Sequence, residues 1–187
     1  MAISMYQASV PVFIRSLKNL SAILKKGAAH AKAKKIDPEV LANSRLYPDM
    51  FSLIRQVQVA SDSAKGAGAR LAGIQPPRFK DEETTLSELI ARVDKTIDFL
   101  RTLKAKQIDG SEAREIVLQF PNAMLRFTGQ DYLLGFAMPN FYFHVTTAYD
   151  ILRHNGIELG KGDFLGERPP RKKKKGTARR KVMRRNR

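Results

Sequence analysis

YPDMFSLIRQVQVASDSAKGAGARLAGI, residues 47–74, places Met50, Leu53, Val57, Ala60, Ala64, Ala67 and Leu71 at steps that alternate between three and four. This rhythm lines up all seven residues as one apolar stripe on an α-helix, whose expected start is set by Pro48. The small residues in its second half let a neighbouring helix approach closely. Three other stretches carry the same spacing. Tyr6, Val10, Phe13, Leu17, Leu20 and Leu24 mark a helix that begins near Ser9, with Pro11 in its first turns. Leu86, Leu89, Val93, Ile97, Leu100 and Leu103 or Lys104 mark another, opened by the capping box Thr85-x-x-Glu88. Phe141, Val145, Ala148 and Leu152 mark the last, which starts at Pro139 and ends at Gly156. Four narrow stripes bury one another most economically in a four-helix bundle.

The connections refine this all-α expectation. GAAHAKAKK is read as a basic loop holding His30, and Asp37-Pro38 as the start of a short helix. QPPRF interrupts the helical rhythm after the second stripe. In AREIVLQFPNAMLRFTG, β-branched and aromatic residues flank Pro121-Asn122, which predicts a small β-hairpin between the third and fourth helices. QDYLLGFA reads as one helical turn or two.

The chain has 187 residues, 43% of them hydrophobic, enough for one domain with a sizeable core. It contains no cysteine, which excludes disulfides, iron–sulfur clusters, Cys-ligated zinc and thiol nucleophiles. The net charge of +16 is unevenly distributed. Residues 167–187 hold twelve Lys/Arg against one Glu, eleven of the sixteen net charges, so residues 1–166 are only mildly basic. A domain over 1–166 and a disordered polybasic tail over 167–187 are therefore expected. Lys172, Lys173, Lys174, Lys175, Arg179, Arg180, Lys181, Arg184 and Arg185 are the candidates for nuclear targeting through an import receptor, or for nonspecific contact with nucleic-acid phosphates. No apolar run approaches the roughly 18 residues of a membrane span, and no secretory signal is apparent. A cytoplasmic protein is expected, with nuclear entry if the source is eukaryotic, and with no membrane partner.

Three segments, MYQASVPVFIRSLKNLSAILKKG, LYPDMFSLIRQVQVASD and PNFYFHVTTAYDILRHNGIELGKGDFLG, resemble a fungal and bacterial domain-of-unknown-function family in the DinB/YfiT-like superfamily of four-helix bundles. The resemblance covers about residues 4–166. It implies a DinB-like fold, a habit of homodimerisation in keeping with the apolar FYF run, and in some relatives a thiol-dependent transferase activity. Superfamily members often bind a divalent metal through three histidines, one on the second helix and two spaced i, i+4 on the last. His144, nine residues before Arg153, matches one of these positions; Asn140 stands where its partner belongs, and no histidine lies between Ala31 and Phe143. The implied metal site is degenerate, so no metal or other cofactor is expected.

Asp49, Gln56 and Ser63 recur every seven residues beside the second stripe, and Asn140 and His144 are one turn apart on the last helix. If the two flanks face each other, these five residues line a hydrated polar pocket for a small ligand. The plainer alternative is that Asp49 caps its helix and His144 is a hydrogen-bonded core histidine. A metal held by His144 with Asp49 or Asp62 would be weak and unselective. Asp62 and Arg55 are expected on a solvated face, and His154 at a helix C-terminus where its charge suits the dipole. No Ser-His-Asp order, phosphate loop or His-Glu-x-x-His motif is present, so nothing in the sequence demands an enzyme.

Overall fold

The computed structural model describes residues 2–166. A single turn, α1 (Met5–Ala8), is closed by a capping box between Ser4 and Gln7. The chain kinks at Ser9 and continues as α2 (Val10–Lys34), with Pro11 in the first turn, where no intrahelical N–H is required. No loop forms around His30. Residues 28–33 are alanine-rich and favour helix, so α2 runs on until Lys35 takes the left-handed conformation (φ 55°). His30 is consequently partly buried on a helix.

After α3 (Pro38–Asn43), begun by Asp37 as N-cap, the second bundle helix starts later than its proline indicates. Pro48 occupies the second position of a β-turn closed by the Met50 N–H on the Tyr47 carbonyl (3.0 Å), and α4 spans Leu53–Leu71. Met50 therefore drops out of the stripe. Asp49 is exposed in the turn and stands off the helix flank.

Residues 72–85 cross to α5 (Leu86–Thr102), which opens with the expected Thr85–Glu88 capping box. A turn, α6 (Ala105–Ile108), leads to the hairpin. Strands β1 (Glu115–Phe120) and β2 (Ala123–Thr128) pair antiparallel, Glu115 opposite Thr128 and Phe120 opposite Ala123, with Pro121-Asn122 at the tip. Beyond it, α7 (Gly129–Asp131), a π-helical segment (Tyr132–Ala137) and α8 (Met138–His154) form one continuous helix. The widened turns place Pro139 near the start of the regular α-helix, where its missing N–H costs least. A final turn, α9 (Lys161–Leu165), folds back on α2 through Asn19, which donates to the Phe164 carbonyl.

Around the bundle, α2 packs on α5, α5 on α4, α4 on α8 and α8 on α2. Phe13 and Phe141 meet edge to face at its centre, 5.0 Å apart. The small residues of α4 admit α5 closely: a Cβ on Gly68 would lie 2.7 Å from Leu103 and 2.8 Å from Leu100. Among the described residues no helix is long and apolar enough to cross a membrane. The tail residues singled out above lie outside the described residues.

The two ends of the hairpin are drawn together where Gln130 N–H reaches the Glu112 carbonyl. Gly129 sits at that crossing, and a Cβ there would come within 2.0 Å of the Ser111 carbonyl oxygen. Gly129→Ala is expected to lower stability by roughly 1–3 kcal/mol through backbone displacement. The urea midpoint of the variant against the parent measures it.

Candidate functional site

The antiparallel approach of α4 to α8 and the π-helical segment sets polar side chains opposite each other in three successive pairs. His144 Nδ1 lies 2.7 Å from Gln56 Oε1, Asn140 Nδ2 donates to Ser63 Oγ at 2.7 Å, and Arg70 Nη1 donates to the Tyr132 hydroxyl at 3.1 Å. The α4 members, Gln56, Ser63 and Arg70, are seven residues apart, so each returns to the same flank after two turns. Three pairs form a ladder about 21 Å long, from the 1.5 Å rise per residue.

The ladder is dry at one end and open at the other. Gln56 is 1% exposed and His144 7%, with Phe51 parallel to the imidazole and Phe143 edge-on to it. Gln56 Nε2 donates to the Phe51 carbonyl, so its oxygen faces the ring and His144 carries its proton on Nδ1. Burial, and secondarily the Arg55 charge, hold the imidazole below its ordinary pKa, so it is neutral at pH 7. At the other end a cleft of about 250 Å³ opens between α4, the π-helical segment and the hairpin. Asp62, Ser63, Arg70, Gln119, Tyr132 and Asn140 supply its polar wall, and Phe120 and Phe136 part of its apolar wall. Burial pushes the Tyr132 phenol up, only partly opposed by Arg70.

Of the five residues expected in one pocket, Ser63 and Asn140 border this cleft. Gln56 and His144 are paired in the packed interior, and Asp49 is exposed in its turn. Arg70 escaped the sequence reading although it continues the Gln56, Ser63 series by one more step of seven. Tyr132, Phe120 and Phe136 could not be placed there from local pattern, since they arrive from the π-helical segment and the hairpin.

Asp62 and Arg55 keep 40% and 43% of their side chains exposed, and both are ion-paired. The 72–85 connection ties Arg55 to Asp81 (2.5 Å), while Asp62 lies 2.6 Å from Lys65 one turn along α4 and 2.9 Å from Arg92. Arg92, on α5, is buried; its guanidinium also meets Glu83, Asp81 and the Lys80 carbonyl. Burial alone would lower its pKa, but Glu83, Asp62 and Asp81 together raise it, keeping the charge. His154 is exposed at the end of α8.

These donors do not fit a transition metal. Asn140 turns its amide nitrogen on Ser63, and no histidine stands on α4 opposite His144. Among the described residues no three His, Asp or Glu side chains gather as a metal site.

The arrangement of helices has a close counterpart in the crystal structure of a DinB family member protein from Shewanella denitrificans. The two chains are 45% identical, and the match covers 88% of this chain and 93% of that one with a TM-score of 0.79. The fold is thus a DinB-like helical bundle. The chain belongs to the family DUF1993, a domain of unknown function, which matches residues 5–165. No curated protein matches it.

His144→Leu strands the buried Gln56 oxygen and is expected to cost roughly 1–3 kcal/mol. The depressed pKa adds a pH signature. As pH falls past the ordinary value of 6.5, the unfolded chain takes up a proton before the folded one does. Stability therefore holds above that pH and declines below it until the folded imidazole also titrates. Denaturation from pH 7.5 to 5 should show this decline in the parent and a smaller one in the variant. In the same assay Arg92→Leu, which removes the shared cation from Glu83 and from the more exposed Asp62 and Asp81, is expected to cost roughly 1–3 kcal/mol.

Proposed function

We propose that this chain is a ligand-binding DinB-like bundle whose site, displaced from His144 to the open end of the α4–α8 ladder, operates without a resident divalent metal. The observation that carries the reading is the Asn140–Ser63 hydrogen bond at the wall of the 250 Å³ cleft. The resemblance puts a metal-binding histidine where Asn140 stands, and an amide committed to a hydroxyl is a positioning group rather than a ligand for zinc or nickel. The cleft combines a few convergent polar groups with an apolar wall, as small-molecule sites do. Phe51 and Phe143, about half exposed on either side of His144, favour a homodimer, to be checked by light scattering.

Elemental analysis of the purified full chain is expected to find zinc, nickel and manganese far below one equivalent. Stoichiometric metal that disappears in His144→Ala would overturn this reading in favour of a metal-dependent transferase.

A second reading rests on the twelve Lys/Arg of residues 167–187, which suit nucleic-acid phosphates or an import receptor. It calls for DNA affinity that falls steeply with salt and vanishes on truncation after Gly166, with an unchanged melting temperature. A truncated chain that binds DNA as tightly as the full one, or still accumulates in nuclei, would remove the corresponding role from these residues.

A further inference from the structure

We propose that the cleft takes a small organic monocarboxylate, with the Arg70 guanidinium as its anchor. This rests on the reading of the cleft as the ligand site and assigns the ligand's chemistry.

Asp62 borders the cleft, but its carboxylate is held by Lys65 at 2.6 Å and Arg92 at 2.9 Å. The neighbouring ionic cluster sets Asp62, Asp81 and Glu83 against Arg55, Lys65 and Arg92, three charges of each sign. Arg70 stands outside this balance. Its one side-chain hydrogen bond is to the neutral Tyr132 hydroxyl, and among the described residues no carboxylate lies within ion-pair distance of it. The cleft therefore carries about one net positive charge beside partly apolar walls, where charge is screened less than in open water.

Hydrogen-bond valence points the same way. Tyr132 accepts from Arg70, which leaves the phenolic proton to donate; Ser63 accepts from Asn140, which leaves the serine proton to donate. Neither proton has an acceptor among the described residues. Arg70 keeps further N–H groups and Asn140 one more. A guanidinium, two hydroxyls and the Asn140 and Gln119 amides thus offer more donors than acceptors, even with the second oxygen of Asp62 counted, and an anion with two oxygens is the complement. One cation suits a monoanion. A phosphate dianion would call for more compensation than Arg70 supplies.

The remainder of the ligand is set by the far wall. Leu118, Phe120, Phe136 and Ala137 present apolar surface, and 250 Å³ limits the body to roughly a single ring or a short branched chain. Phe136 stacks at 20° against Tyr132 with centroids 6.1 Å apart, so an aromatic or aliphatic body meets a rigid face.

The test uses the full chain, so that the basic tail is a constant background. Phenylacetate, its neutral isostere phenylacetamide, benzyl phosphate and inorganic phosphate are titrated into ¹⁵N-labelled protein, the site is mapped by amide shifts, and Arg70→Gln is compared with Arg70→Lys. The expected result is that phenylacetate shifts amides around Ser63, Arg70 and Tyr132, and that phenylacetamide binds there about ten- to a hundredfold more weakly, the loss of a charge-assisted hydrogen bond. Arg70→Gln should weaken the carboxylate alone by a similar factor, and Arg70→Lys, which keeps the charge but loses the fork, by less. If Arg70→Gln unfolds, the Lys variant and the acid–amide ratio in the parent carry the decision. Equal binding of acid and amide at the cleft overturns the carboxylate assignment and leaves the ligand site standing. Tighter binding of either phosphate at the cleft overturns the monoanion. Shifts confined to other residues, or no shifts with any probe, overturn this proposal together with the ligand reading beneath it.

Discussion

The antiparallel register of α4 against α8 is the constraint on which the rest of the molecule turns. Apolar stripes alone tolerate sliding, since alanine and leucine rows interlock at several offsets. Polar pairs do not, because a buried donor or acceptor that loses its partner carries its full desolvation penalty. The Gln56–His144 pair is the most buried of the three cross-helix contacts and so the most demanding. Once it is in place, the helical repeat brings Ser63 to Asn140, and the π-helical segment then carries Tyr132 to Arg70. His144, which the resemblance aligns with a metal ligand, is bonded here through Nδ1 to Gln56.

Two irregular elements convert that ladder into a site. The π-helical turns over Tyr132–Ala137 widen the helix ahead of Pro139 and bring Tyr132 and Phe136 beside α4. The hairpin closes the far side with Leu118 and Phe120, and it is anchored by the tight crossing at Gly129 and by Phe127, which packs on both Tyr132 and Phe136. An uninterrupted α-helix with no hairpin would leave a flat polar strip. The cleft belongs to these departures from regularity.

Arg92 supplies a different kind of order. It fastens the 72–85 connection to α4 and α5, using Asp81 and Glu83 of the connection and Asp62 of α4. Burying such a cluster brings little net stability compared with an apolar replacement, but its unique geometry suits a role in holding a long connection in one place. Its effect reaches the cleft through Asp62. By occupying that carboxylate, Arg92 and Lys65 leave Arg70 as the charge that a ligand would meet.

The sequence by itself determined the four stripes, the hairpin at Pro121-Asn122, the Thr85–Glu88 cap and the polar flanks of α4 and α8, though not that the flanks meet, because helical period, turn chemistry and capping are short-range. It misjudged the start of α4, since Pro48 serves a β-turn as readily as a helix N-terminus, and Asp49 left the flank with it. It also ended α2 too soon, where alanine propensity outweighed the lysines around His30. Arg70 was legible as the next member of the series after Gln56 and Ser63. Only the tertiary structure decided which pairs are dry and which border a cleft, because burial depends on what covers a flank. Here the hairpin and the π-helical segment line the Ser63 and Arg70 end, and the 72–85 connection reaches Arg55 through Asp81 and Gln58 through Glu83. Each arrives from sequence positions that no local pattern connects to the residues it meets.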